Sequence, residues 1–291
     1  MRAYNVLIEP AKTMKHPINQ LFFLILLSIV LFPTTSASGA TKSDLDKERR
    51  WEAQIVPELM VGDAIKLKAN DLEFLGLYTP SSTEKSHGGV LLIHGIGLHP
   101  AWPDIIEPLR SHLPEHGWHT LSIQMPILRN EAEPKDYVPL MDEAPARIQA
   151  GVDFLKKQGL RNIVIIAHSL GTAMAGYYLT NKPDPSVRAY VGISMGYFPF
   201  DKRFDTTLAL EKLRMPVLDI YGGQDLDDIL RNAGRRKQAA LKAKNKAYEQ
   251  IKIEGASHFF TNMDDTLVKR IRGWLLKNAP GTEIQTQIKT K

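Results

Sequence analysis

Two hydrophobic rhythms divide the chain. Residues 64–80, AIKLKANDLEFLGLYTP, alternate apolar and polar positions on both sides of Asn70-Asp71, the pattern of a β-hairpin. GVLLIHG at 89–95 is apolar without alternation, which predicts a strand covered on both faces. Helical spacing over 102–115 precedes a strand at HTLSIQM, 119–125, and a helix at APARIQAGVDFLKKQ, 144–158. The alternation goes on with a strand at 163–167, a helix after it, a strand at VRAYVGISM, 187–195, and a helix at TTLALEKLR, 206–214. A strand at PVLDIYGG, 216–223, a long helix over about 226–247, a strand at YEQIKIEG, 248–255, and a helix at 264–278 complete it. A hairpin followed by repeated strand–helix units predicts an α/β fold with a mostly parallel, doubly wound sheet and helices on both faces.

No linker breaks the pattern, so one domain is expected over 60–279, with a flexible tail at 280–291. Residues 41–59 read as a charged helix or linker capped by Ser43. The twelve apolar residues of LFFLILLSIVLF, 21–32, end at Pro33 and are followed by TTSASGA. That order predicts a signal peptide over 1–40, cut after Ala37 or Ala40, with Met14 the more natural start. A membrane span needs roughly 20 apolar residues, so a permanent anchor through 21–32 is the alternative. The expected location is the periplasm or the exterior. Losing Arg2, Lys12, Lys15 and Glu9 takes the formal charge from +5 to +3, too mild to point to nucleic acid. The absence of cysteine excludes disulfides and thiolate metal sites.

The chemistry concentrates where strands end. In NIVIIAHSLGTAMAGYYL, 162–179, Ser169 stands between a β-branched run and a run of small, helix-compatible residues. A sharp strand-to-helix turn would push its hydroxyl out at the carboxyl edge of the sheet, and the tightness of that turn explains small residues at Ala167 and Gly171. A serine hydroxyl needs a base, and the base needs an orienting carboxylate. IYGGQD delivers Asp225 and IEGASHFF delivers His258, each just past the end of a strand. The chain here resembles the α/β-hydrolases across residues 60–279, whose nucleophile elbow reads G-x-S-x-G and whose partners follow in the order serine, acid, histidine. Ala167 departs from the first glycine of that pattern by a single methyl. The resemblance implies Ser169 as nucleophile, Asp225 as acid and His258 as base. It also implies backbone N–H groups of Ile96 and Leu170 as an oxyanion hole, on a loop shaped by His94, Gly95 and Gly97, with little or no lid. It calls for no cofactor and no metal. Asp227, Asp228 and the more distant Asp201 are the other candidates for the acid.

Rival readings have their own residues. HLPEH, 112–116, matches an H-x-x-E-H zinc pattern, but Pro114 interrupts it and Gly117 ends the helix at once. The stretch 231–246 carries Arg231, Arg235, Arg236, Lys237, Lys242, Lys244 and Lys246 and no acid. On one helix, 231, 235, 242 and 246 would share a face, either solvated or set to meet anionic lipid or another envelope polyanion. Tyr197, Phe198, Phe200, Phe204, Phe259 and Phe260 either pack or line an apolar cleft. The expected activity is cleavage of an acyl ester or thioester on a small substrate through an acyl-enzyme. The alternative is a hydrolase-shaped binding or assembly protein of the envelope that has no catalysis.

Overall fold

The computed structural model describes residues 42–281; the expected signal peptide and all but the first two residues of the expected tail lie outside them. The first helix, α1 (Leu45–Ile55), precedes the hairpin β1 (Asp63–Ala69) and β2 (Leu72–Thr79). Asn70, at the turn, takes a positive φ of 53°, a conformation its short polar side chain tolerates. Then come β3 (Gly88–Ile93), α2 (Ile106–His112), β4 (Trp118–Ile123), α3 (Ala144–Lys157), β5 (Ile163–His168) and α4 (Leu170–Asn181). The chain continues through β6 (Val187–Ile193), α5 (Thr206–Leu210), β7 (Val217–Gln224), α6 (Asp227–Lys242), β8 (Tyr248–Ser257) and α7 (Asp264–Asn278). The eight strands form one open sheet in the order β1-β2-β4-β3-β5-β6-β7-β8. β2 runs antiparallel to β1 and to β4, and every other pairing is parallel.

The unbroken apolar runs have a direct cause. In β3 and β5, Leu91, Ile93, Ile163 and Ile165 face a core closed by α3 and α4, which supply Ile148, Val152, Leu155 and Ala173. Their neighbours Val90, Leu92, Val164 and Ile166 face the opposite core, closed by α2 and α7 with Leu109, Leu267, Ile271 and Trp274. A strand between two helical layers buries both faces and carries no polar alternation. Its carboxyl end is then the part left for chemistry.

Several boundaries differ from the sequence reading. α1 is capped by Asp44, whose side chain accepts from the Lys47 amide, and not by Ser43. Ser43 is instead buried against Ile127, hydrogen-bonded to both its amide and its carbonyl. The helix expected over 102–115 is shorter, α2 giving way to a 3-10 turn at Leu113–His116 where Pro114 sits. α5 stops at Leu210, ahead of a turn at residues 211–212 on the way to Pro216 and β7. α6 stops at Lys242, because Lys244 turns to a φ of 54° and the Asn245 side chain donates to the Leu213 and Met215 carbonyls. Lys246 therefore lies off the helix, and the four-residue basic face does not form. Arg236 lies fully inside, its Nε donating to Asp219 at 2.8 Å. Arg231 pairs with Asp227 and Lys242 with Glu211, while Arg235 lies over the Tyr197 ring. Among the described residues no helix is long and apolar enough to cross a membrane.

Candidate active site

Ser169 occupies the one residue between β5 and α4, with φ 52° and ψ −124°. A side-chain-bearing residue reaches such a φ only when its surroundings impose it. Here the Ser169 amide donates to the Ile193 carbonyl on β6, and the Thr172 amide and hydroxyl donate to the Ser169 carbonyl. The crowding that demands a glycine two residues later comes from strand β3. A Cβ on Gly171 would lie 2.5 Å from the His94 carbonyl oxygen and 2.9 Å from Ile93 Cγ2. Ala167, fully buried, sits in register with Ile93 on one side and Gly192 on the other. Its methyl lies in a sheet position with a glycine on the β6 side.

Three side chains meet in line. Ser169 Oγ lies 3.1 Å from His258 Nε2, and His258 Nδ1 lies 2.6 Å from Asp225 Oδ1. A carboxylate can only accept, so Nδ1 carries the proton and Nε2 presents its lone pair to the serine hydroxyl. Asp225 Oδ2 accepts from Ser194 Oγ at 2.5 Å and from the Gly222 amide, and Oδ1 also accepts from the Leu226 amide. Burial pushes the Asp225 carboxyl up, but the bonds from His258, Ser194 and Leu226 outweigh it and hold it below the ordinary carboxylate range. Asp225 is not the helix cap, since α6 begins at Asp227 after Leu226. Of the other acids considered, Asp201 is engaged by Arg203 and Asp227 by Arg231.

The loop after β3 faces the serine. A Cβ on Gly95 would stand 3.0 Å from Ser169 Cβ, so glycine there lets the loop close on Ser169. His94 is buried; its Nδ1 donates to the Gly95 carbonyl, and its Nε2 accepts from the Met125 amide at 3.0 Å and from Gln124 Nε2 at 3.1 Å. Gly97 has a φ of 68° and follows Ile96, which is half-buried. Leu170 is the first residue of α4, so its N–H is one of the helix-end donors without an intrahelical partner. The amides of Ile96 and Leu170 thus belong to the two segments that the Gly171–His94 contact holds together.

Several contributors escaped the sequence reading. Ser194, at the carboxyl end of β6 with φ 54°, orients Asp225. His168, the residue before the nucleophile, is buried with its Nε2 donating to the His258 carbonyl at 3.1 Å, and its ring lies 4.8 Å from the His258 ring. Its position inside the A-H-S-L-G stretch was the available signal. The aromatic residues divide: Phe204 and Phe260 are core, and Phe198 and Phe200 pack around Phe204. Phe259 alone of the six lies edge-on to His258, with Trp102 beyond it. His112 and His116 do not converge on an ion, as His116 Nε2 accepts from Arg272 at 2.9 Å. Among the described residues no three His, Asp or Glu side chains cluster as a metal site would require.

Burial pushes both His94 and His168 down to about 3, so each is neutral in the folded protein at pH 7. In the unfolded chain each titrates near the ordinary value of about 6.5. Between those limits the unfolded state binds more protons, so the stabilisation is fully present above about 6.5 and is lost as pH falls towards 3. Urea midpoints measured from pH 7 to pH 4 should therefore fall. The slope should diminish in His168→Gln by about one proton, or roughly 1.4 kcal/mol per pH unit. Equal slopes in parent and variant would contradict a neutral buried His168.

The comparisons agree with this architecture. Est1E from Butyrivibrio proteoclasticus with bound ferulic acid superposes with a TM-score of 0.60 at 17% identity, over 74% of this chain and 99% of that one. Dienelactone hydrolase from Anabaena variabilis superposes at 0.56 and 21% identity, over 75% and 97%. XC6422 from Xanthomonas campestris, an α/β serine hydrolase without a lid, does so at 0.56 and 13%, over 77% and 98%. No curated protein matches the chain by sequence. The fold is that of the α/β-hydrolase superfamily. A family profile matches residues 32–144 and 129–277, and the chain belongs to that family, described as a protein of unknown function, DUF3530.

Proposed function

We propose that the chain is an exported serine hydrolase that cleaves an acyl ester or thioester through an acyl-enzyme. The observation that carries this reading is the continuous relay from Ser169 Oγ through His258 to Asp225. In the first step His258 Nε2 takes the serine proton as Oγ bonds to the substrate carbonyl carbon. The electron pair of the C=O moves to oxygen, and the amides of Ile96 and Leu170 receive the oxyanion. Preorganised donors of this kind are worth roughly 3–4 kcal/mol each. As the tetrahedral species collapses, His258 returns the proton to the departing alcohol or thiol. Water, deprotonated by the same imidazole, then releases the acid and restores Ser169. Asp225 stays ionised and stabilises the imidazolium. The half-buried Phe259 beside His258 favours an apolar group on the leaving side, and Est1E, with its bound ferulic acid, is a neighbour with an aromatic acid.

Treatment with a fluorophosphonate should add one adduct, on Ser169, found by peptide mass spectrometry. Ser169→Ala or His258→Ala should each lower kcat by about 10⁶ if the residues act as a unit. A folded protein that takes no adduct, or takes it elsewhere, would support the non-catalytic binding alternative.

Export rests on the apolar run 21–32 and the small residues after it. Amino-terminal sequencing of the protein from its native cells should read from Ser38 or Thr41. Recovery of residues 21–32 in the mature protein would mean a membrane-anchored form.

A further inference from the structure

The relay leaves unexplained a dense set of buried polar contacts near the amino end of the described chain. Residues 43–48 reach across about eighty positions of sequence to the segment 124–128 that follows β4. The Asp44 amide donates to the Ile127 carbonyl at 2.8 Å, and Ser43 Oγ accepts from the Ile127 amide at 2.8 Å. Lys47 Nζ donates to the Leu128 carbonyl at 2.9 Å. Glu48 takes two bonds of 2.9 Å from Arg147, whose Nη1 also donates to the Gln124 carbonyl at 3.0 Å. Arg147 is 1% exposed and Glu48 8%. The same segment grips the loop that faces Ser169 from the other side. Met125 and Gln124 donate to His94 Nε2, and the Leu128 amide donates to the Tyr137 hydroxyl.

We propose that residues 43–48 form a clasp that positions the oxyanion loop, with Lys47 and Glu48 as positioning residues acting through 124–128 on His94. No residue of the clasp touches the reacting atoms. It acts by fixing where the Ile96 amide points, since His94, two residues before Ile96, hangs from the clasped segment. A hydrogen-bond donor displaced by even a fraction of an ångström loses much of its value to a developing charge. α1, within a stretch that reads in sequence as a charged helix or linker, thereby becomes part of the catalytic apparatus. The inference rests on the reading of Ile96 as an oxyanion donor, but its structural half can be measured without turnover.

The test compares Glu48→Ala and Lys47→Met with Arg49→Ala, an exposed control on the same helix. Lys47→Met removes the bond to Leu128 and the ammonium over the Trp51 ring but leaves the Glu48–Arg147 pair, so it decides the matter if Glu48→Ala fails to fold. Hydrogen–deuterium exchange should quicken at residues 94–98 in the two clasp variants and not in the control. With an acyl ester, kcat should fall about 10- to 100-fold while KM stays within about twofold. With the matching thiono ester, whose sulfur accepts hydrogen bonds poorly, the fall should be much smaller. Unchanged exchange at 94–98 in the folded variants overturns the proposal, and so does an equal fall on both esters. Quickened exchange in a protein whose Ser169 takes no fluorophosphonate would uphold the clasp and sink the hydrolase reading instead.

Discussion

The close approach of α4 to the end of β3 is the constraint from which the site follows. Gly171 stands where any side chain would strike the His94 carbonyl. That contact presses the start of α4 against the loop after β3, so the two segments carrying the Leu170 and Ile96 amides become neighbours. It also forces the sharp turn that holds Ser169 at a φ of 52°. The strain is sustained by the two parallel strands beside β5, both buried on each face and unable to move independently. The proposed nucleophile and its expected oxyanion donors are therefore set by one packing contact rather than by separate devices.

The polar groups around this contact are buried with their charge states fixed, by hydrogen bonds for Asp225 and by burial itself for His94 and His168. Asp225 remains ionised inside the protein because four donors converge on it. His94 and His168 remain neutral because burial penalises their cations. The neutral imidazole of His168, whose ring lies 4.8 Å from that of His258, adds no positive charge beside it. In the proposed reaction the only group of the relay asked to change charge is then His258 itself.

The order of elements was legible because burial on two faces writes itself into the sequence as continuous apolar runs, as in GVLLIHG and NIVIIAHS. Ser169, Asp225 and His258 were legible because each follows the end of a strand, where a chain position alone fixes a spatial one. The supporting residues were not. Ser194 and Asp225 are 31 positions apart, and Glu48 and Arg147 are 99 apart. Neither pair leaves a local pattern, because ion pairs and hydroxyl contacts impose no periodicity. The basic stretch 231–246 shows the same limit. Charge count does not reveal that Arg236 turns inward to Asp219, nor that a residue such as Lys244 ends the helix with a left-handed turn. Ala167 and Gly171 are both small, but the structure assigns the sharper demand to Gly171 and to β3.

The account centres on a covalent acyl-enzyme at Ser169, and product partitioning addresses it most directly. Two esters sharing one acyl group but differing in leaving alcohol would be turned over in water containing methanol, and the ratio of acid to methyl ester measured for each. A common acyl-enzyme has forgotten its leaving group before the second nucleophile arrives, so the account predicts the same ratio from both substrates. A ratio that changes with the leaving alcohol, or no turnover of either ester by folded protein, would contradict it.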